Sequence, residues 1–516
     1  MSLAILLFFI AIIVATCYYL RQWFFWKIRG VPGPLGLPFI GNQWDMLQTR
    51  PSPYIEFVAK CTKKYGKVFG ITEGLTNLLI VSEPDMIHEI FIKQYDNFYG
   101  RRLYNLMADV ETSPRVHLFV AQGHRWKRLR ALSSSSFSNN SLRKLKNTIE
   151  DCSLELMKHI DDRTSNGQQI DVLEFYQEFT LDVIGRIAMG QHKSKMFENP
   201  LVDDVRGVFQ NDQCFVYLLA GAFPMLVPIL RGMFMRFPKL FGGTAYVNMI
   251  VACEKAVRTR IHQRESDLMN GIENQEPADF IDMFLDARTD SLEHENSNFT
   301  ISEAKVNRKL TVKEIVAQCM MFLIAGFDTT ALSLSYTSFL LATHPEIQKK
   351  VQEEMNRECP DPEVTFDQLS KLKYLDCVIR ETLRLYPLGA MATARKCMRS
   401  TEVCGLPIEA GTEILVDTWS LHHDADIWGD DVDEFKPERW LNVNDVAHKG
   451  AYIPFGYGPR QCIGMRLAYM EERLLLTHIL RKYSFTTGPK TQIPLKLIGR
   501  DTIQPESVFL HLEERP

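Results

Sequence analysis

Cys462 closes a glycine-rich loop, Phe455-Gly456-Tyr457-Gly458-Pro459-Arg460-Gln461-Cys462-Ile463-Gly464, and a helical pattern opens directly behind it at Met465. Glycine lets such a loop adopt turns that a Cβ forbids and leaves room for a large flat group against the main chain. A cysteine at the N-terminus of the following helix meets free N–H groups and the positive end of the helix dipole, which favour a thiolate. A thiolate held in a stiff loop can ligate a soft or borderline metal, with haem iron the leading candidate. Zinc is disfavoured, because no second Cys or His stands at ligand spacing nearby. On spacing alone the competing reading stays open: a lone cysteine is most often a small buried hydrophobe.

Three further groups could do chemistry. Trp126 and Arg130, in Arg125-Trp126-Lys127-Arg128-Leu129-Arg130, share a helical face at i,i+4 and offer an indole N–H and a guanidinium to a carboxylate. The alternative is a solvated basic face. Ala325-Gly326-Phe327-Asp328-Thr329-Thr330 interrupts an apolar helix with residues that suit a buried helix poorly. There Thr329 is expected to back-bond to the Ala325 carbonyl and bend the helix locally. Glu381 and Arg384 share a helical face, and Phe435-Lys436-Pro437-Glu438-Arg439-Trp440 follows downstream. Alone, an exposed pair of that kind contributes little.

The string F-x-x-G-x-R-x-C-x-G, running from Phe455 to Gly464, resembles the haem-thiolate signature of the cytochromes P450. W-x-x-x-R (Trp126, Arg130), A/G-G-x-D/E-T-T (325–330), E-x-x-R (Glu381, Arg384) and P-E-R-F (read here with Trp440 as its last residue) appear in that family's order. The resemblance implies a mainly α fold with small β-sheets. It also implies a haem b (iron protoporphyrin IX) ligated by Cys462 and flanked by Phe455 and Arg460. Trp126, Arg130 and Arg395 would bind its propionates. Thr329 would assist dioxygen activation, Asp328 would belong to the proton-delivery chain, and Arg439 would join Glu381 and Arg384 in a buried network. The implied reaction is monooxygenation of lipophilic compounds (xenobiotics, steroids or fatty acids), as in the animal drug- and steroid-oxidising branch. Electrons would come from NADPH through cytochrome P450 reductase, with cytochrome b5 as a further partner. A haem-thiolate isomerase or dehydratase, or a non-catalytic haem-binding protein, would share most of these motifs. The intact Asp328-Thr329 pair argues against both.

These residues need a frame to hold them. The 516-residue chain is 46% hydrophobic and 24% charged, an ordinary globular balance, and its net charge of −4 argues against nucleic acid as a partner. Eleven cysteines without pairing rhythm suit a reducing compartment. Residues 3–20 are uncharged and long enough to span a bilayer; Arg21, Lys27 and Arg29 follow, with Tyr18, Tyr19, Trp23 and Trp26 as expected interfacial anchors. No basic n-region or small-x-small cleavage site supports a cleaved signal peptide. The expected organisation is therefore a transmembrane signal anchor (1–20), a stiff basic and proline-rich linker (21–38) and a catalytic domain (39–516). The resemblance places this domain on the cytosolic face of the endoplasmic reticulum.

Within the domain, Thr311-Val312-Lys313-Glu314 reads as a capping box for a helix running to about Thr343, with Pro345 opening the next. Strands are expected at Val68–Thr72, Leu78–Val81, Glu413–Val416 and near the C-terminus. Residues 214–243, apolar and broken by prolines, read as buried core or as a loop dipping into a membrane; the resemblance makes them the roof of the substrate pocket. Residues 287–308 read as a polar surface connection. The resemblance makes Tyr386–Arg395 line the pocket, one residue longer than the common form. Leu132-Ser133-Ser134-Ser135-Ser136-Phe137 departs from the family's Leu-Ser-Pro-x-Phe. Arg125, Lys127 and Arg128, with Lys60, Lys63 and Lys64 as a second group, are expected to face outward as a docking patch for an acidic reductase surface.

Overall fold

The computed structural model describes residues 2–48, 52–103, 106–107, 109–165, 167–210, 215–240, 243–272, 279–289, 308–389, 392–442, 449–499 and 502–515. Its axis is the helix Val312–Thr343. The expected capping box closes its start: the Thr311 hydroxyl accepts from the Glu314 amide (3.3 Å), and the Glu314 carboxylate accepts from the Thr311 amide (3.2 Å). This helix is long and apolar enough to cross a membrane, but 72% of it is buried, so it is a core helix. Val172–Ala188 lies along it, tied by Tyr176 Oη to Ser338 Oγ (2.8 Å) and by Thr180 Oγ1 donating to the Phe327 carbonyl (2.7 Å). Pro345 opens the next helix, Pro345–Glu358. Lys373–Leu385 and Met465–Lys482 complete the packing that carries the site.

The expected strands form as Val68–Glu73, Thr76–Val81 and Glu413–Val416. Thr76–Val81 pairs antiparallel with the first and parallel with the third, with Leu79 opposite Ile414. A fourth strand, Ala394–Lys396, sets Arg395 opposite Ile414. Three residues, two of them charged, carry too little alternation to mark it in the sequence. Near the C-terminus Phe509–Glu514 runs between Ile170–Asp171 and Tyr483–Thr486.

The helix Ser2–Trp23 has nothing buried along Ile5–Trp23 and meets the domain only in its last turns, where Asn77 donates to Gln22 (3.1 Å). The segment after it lies against the domain. Trp23 Nε1 donates to the Gly36 carbonyl (2.6 Å) and Trp26 Nε1 to the Ile71 carbonyl (2.8 Å), while the Gly70 amide donates to the Pro32 carbonyl (2.8 Å). The Trp26 indole lies flat on Gly70, where any Cβ would collide with it. Trp23 and Trp26 thus dock on the domain because their N–H groups find sheet and loop carbonyls at close range.

Of residues 214–243, the described part forms Phe215–Ala222 and Val227–Arg236. Val216, Ala220 and Leu230 pack inward with Leu106, while Met225, Ile229, Met235, Phe237 and Leu240 are exposed. Most of the polar connection, 290–307, lies outside the described residues. Its ends meet where the Thr289 amide donates to the Leu310 carbonyl (2.8 Å).

Candidate active site

The Cys462 loop turns on Gly456 and Gly458, both at positive φ (76° and 75°), and a Cβ at Gly458 would strike the Phe91 carbonyl. The Cys462 amide donates to the Phe455 carbonyl (2.8 Å), which closes the loop and points the thiol into a cavity of about 1240 Å³. That volume exceeds the roughly 300–1,000 Å³ of a single small-ligand site, so it can hold a flat cofactor and a substrate together. The thiol does not behave as the helix-dipole argument expects. Burial pushes it up, and the Gly464 and Met465 amides and Arg130 pull it back only in part. A metal cation bound at the sulfur would favour the thiolate.

The cavity wall is rich in guanidinium, with Arg101, Arg130, Arg395 and Arg460 on it. Arg395 donates to the Ala394 and Tyr457 carbonyls (2.8 and 3.1 Å) and lies 4.2 Å over the Phe91 ring. Arg460 donates to the Ala121 carbonyl (2.5 Å) and lies 4.7 Å over Trp126, whose ring meets Tyr95 at 5.9 Å. Burial lowers Arg460 to about 10 and holds Arg395 well below its usual range, with Arg101 and Arg460 adding to the latter. Arg395 Nε is sealed from solvent without a partner among the described residues, and the Tyr95 hydroxyl, itself sealed, faces Arg460. Buried donors of this kind imply acceptors. Beside Arg130 they fit the two carboxylates of a haem, so the residues present suit that cofactor. Arg101 also lines the cavity, bonded to the Phe119 carbonyl (3.3 Å) and stacked on its ring at 4.1 Å. Sequence reasoning missed both Arg101 and Tyr95, because neither stands in a recognisable spacing.

Behind the loop, Glu381 and Arg384 are fully buried and bond through both carboxylate oxygens (2.9 and 2.8 Å). Arg439 Nε reaches Glu381 Oε1 (3.3 Å), and Trp440 Nε1 donates to Oε2 (2.9 Å), so the tryptophan contributes a donor that phenylalanine would lack. Arg384 also donates to the His422 carbonyl (2.9 Å), and His422 Nε2 accepts from the Ile453 amide (3.1 Å), two residues before Phe455. The network thus ends on the backbone of the cysteine loop. Phe455 packs on Tyr469 at 5.2 Å.

Thr329 lines the cavity and donates to the Ala325 carbonyl (2.7 Å), as expected of a back-bond, yet the helix runs on without a break. Asp328 points away from the cavity. It accepts from Gln177 (3.1 Å), Gln504 (2.6 Å) and Thr502 (3.3 Å), and burial pushes it up to about 6 against those bonds. Thr502 and Gln504 do line the cavity and connect it with Asp328; their place near the C-terminus gave no signal.

The outward basic patch is corrected. Arg125 and Arg128 both bond Glu314 (3.1 and 2.7 Å), and Arg128, buried, also donates to the Lys309 carbonyl (2.5 Å). The same carboxylate that caps the long helix pairs with both and offsets one of their two charges. Lys60, Lys63 and Lys64 are exposed, and Lys60 pairs with Glu56 (3.4 Å).

A cysteine loop at a helix start, a cavity wall carrying Arg130, Arg395 and Arg460 and a mainly helical frame define a thiolate-ligated haem protein. The profile described as Cytochrome P450 matches residues 31–512, and the chain belongs to that family. It is similar to proteins of Caenorhabditis elegans named cytochrome P450 CYP13A10 (56% identical over 503 residues, 96% of each chain) and CYP13A1 (57% over 514 residues, 98% of each). A third, named CYP13A4, is 52% identical over 521 residues, covering 100% of this chain and 99% of its own. The chain is accordingly a haem monooxygenase.

Proposed function

We propose that the protein oxidises lipophilic compounds (xenobiotics, steroids or fatty acids) with electrons from NADPH delivered by cytochrome P450 reductase, assisted by cytochrome b5. One observation carries the substrate class: the wall above Cys462 is largely apolar, with Phe119, Phe209, Met320, Ile324 and Leu388. When bound, the haem supplies reductive cleavage of dioxygen, one oxygen atom entering the substrate and the other leaving as water.

In this reading Cys462 holds the iron, and Trp126, Arg130, Arg395 and Arg460, with Arg101 and Tyr95 added, clamp the propionates. Glu381, Arg384 and Arg439 keep the loop in register. Thr329 supplies a hydroxyl at the cavity surface, and its bond to Ala325 leaves its oxygen free to accept a second hydrogen bond. Asp328, poised near 6, can hold or release a proton near neutrality and pass it toward the cavity by way of the Thr502 hydroxyl. The helix Ser2–Trp23 serves as anchor in the endoplasmic reticulum membrane. The exposed Met225, Ile229, Phe237 and Leu240 rest on the same surface, a placement supported by the Phe39 ring, which bridges Tyr19 (4.7 Å) and Phe223 (6.4 Å). The domain division at 20 and 38 is kept as a division of roles, with the second segment docked on the third.

Reconstitution with reductase, NADPH and isotopically labelled O2 tests this. Labelled oxygen should appear in a lipophilic product, and Thr329→Ala should keep consuming NADPH while forming less product and more hydrogen peroxide. Unlabelled product, or product without reductase, would overturn the reading; unchanged coupling in the variant would remove Thr329 from it.

A further inference from the structure

Aromatic rings run in file from the cysteine loop to the buried Glu381 network. Phe455, on the cavity wall, packs on Tyr469 at 5.2 Å. The Tyr469 and Tyr452 hydroxyls hydrogen-bond each other, and Tyr452 Oη also donates to the Arg380 carbonyl (3.0 Å). The Tyr452 ring meets Trp440 at 4.4 Å, and Trp440 meets Trp428 at 5.6 Å. Trp440 is buried while Leu441 beside it is exposed, so the file ends just beneath the surface. Tyrosine and tryptophan rings give up a single electron more readily than aliphatic side chains, and rings in contact exchange electrons quickly.

Trp440 is set apart from Trp428 and Trp126 by what surrounds it. Its Nε1 donates to the Glu381 carboxylate (2.9 Å), a partner whose negative charge stabilises a ring short of one electron. The two guanidiniums on Glu381 are balanced, because Arg439 also pairs with Asp431 (2.9 Å). Trp428 instead lies under Arg384 at 5.5 Å, and Trp126 on the cavity wall lies under Arg460 at 4.7 Å. A cation over a ring face is held by the ring's electrons, so removing one weakens the attraction and adds repulsion. Of these three indoles, Trp440 is therefore the one on which an electron vacancy settles.

We propose that Trp440 is a redox-active residue that sends electrons through Tyr452, Tyr469 and Phe455 toward the haem when activated oxygen meets no substrate, sparing the cofactor and its loop from oxidation. The proposal rests on the reading that the haem binds on the Cys462 loop. Trp440 gives up one electron and keeps its N–H in the bond to Glu381, and no covalent bond in the chain breaks. Two such electrons, given in succession with two protons from solvent, turn the unused oxygen atom into water. A soluble thiol or ascorbate refills Trp440 one electron at a time.

Substrate-free ferric holoprotein, mixed with hydrogen peroxide and rapidly frozen for electron paramagnetic resonance, tests it. Wild type should show an organic radical whose hyperfine pattern changes when the protein carries indole-deuterated tryptophan, and ascorbate should abolish that signal. Trp440→Phe should lose the signal and bleach its Soret band faster, with oxidised tryptophan at 440 found by peptide mass spectrometry in wild type. Trp428→Phe should keep the signal. Tyr469→Phe, which leaves the indole and its carboxylate in place, should weaken it, and carries the comparison if Trp440→Phe fails to hold haem. A tryptophan signal undiminished in these two variants, a tyrosine signal alone, or no organic radical in wild type overturns the proposal. The carbon-monoxide spectrum of the wild type separates the two levels. Lack of the thiolate-type band overturns both the relay and the function it rests on, whereas a normal band without the tryptophan signal overturns the relay alone.

Discussion

The molecule holds two buried groups of arginine, and they are built in opposite ways. Around Glu381 every charge has its answer: Arg384 and Arg439 share one carboxylate, Trp440 caps it, and the remaining guanidinium donors end on carbonyls of His422, Glu434, Trp428 and Asp431. Around the cavity, Arg395 and Arg460 meet carbonyls and the Tyr95 hydroxyl, and no carboxylate among the described residues answers their charge. A group that satisfies itself supports a fold. One left short of anions at comparable burial is built for a ligand that brings them.

Breaking the closed group should cost most. Glu381→Gln leaves Arg384 buried without a countercharge, while Arg439 keeps Asp431 (2.9 Å), and a loss of about 3–5 kcal/mol is expected, with poor haem incorporation. Chemical denaturation measures it, and a variant as stable as wild type would mean the network is not structural. Asp328 comes next, as the carboxylate mirror of the open group, since its hydrogen bonds come only from amides and a hydroxyl. Its folded pKa, about 6, lies above the ordinary 3.8, so the folded state binds the extra proton between those values and stability falls as pH rises through them. Asp328→Asn should lack that fall, worth on the order of 2–3 kcal/mol, so thermal melts from about pH 4 to 7 should diverge. Parallel melts would show that Asp328 stays ionised throughout.

Arg460→Met sharpens the contrast through its sign. The haem-free chain should be unchanged or more stable by about 1 kcal/mol, because an unanswered buried cation is gone. The holoprotein should lose haem to apomyoglobin roughly tenfold faster, the effect of one lost charge-assisted hydrogen bond. Destabilisation of both forms would place Arg460 with the closed group. The smallest effect belongs to Trp440→Phe, which restores the family's usual residue and removes the donor to Glu381. A loss of about 1 kcal/mol with unchanged haem retention is expected in denaturation and haem-transfer assays. No loss would mean water replaces the indole.

Residues whose partners lie close in the chain were legible in the sequence. The capping box, the Thr329 back-bond and the Glu381–Arg384 pair all span three or four residues, and helical geometry alone predicts them. The Cys462 loop was legible for a related reason: Gly458 marks where a Cβ cannot fit, and Gly456 where the chain turns through positive φ. Partners distant in sequence were not legible. Thr502 and Gln504 reach Asp328, Arg101 and Tyr95 join Arg460, and Glu314 captures Arg125 and Arg128 only once the chain has folded. That last capture turned an expected docking face into the root of the long helix. Nor could spacing tell that the thiol, placed at a helix start, is governed more by burial than by the dipole.

The seating of Trp26 on Gly70 makes the proposed anchor a strut rather than a tether. A flexible leash would let the catalytic domain tumble above a bilayer and sample every orientation. With the indole notched into the sheet and Arg29 paired to Glu409, tilt of the first helix is transmitted to Val68–Glu73 and, through Glu413–Val416, to the strand bearing Arg395. With that helix in a bilayer, lipid thickness would gain a mechanical handle on the wall of the oxidising chamber.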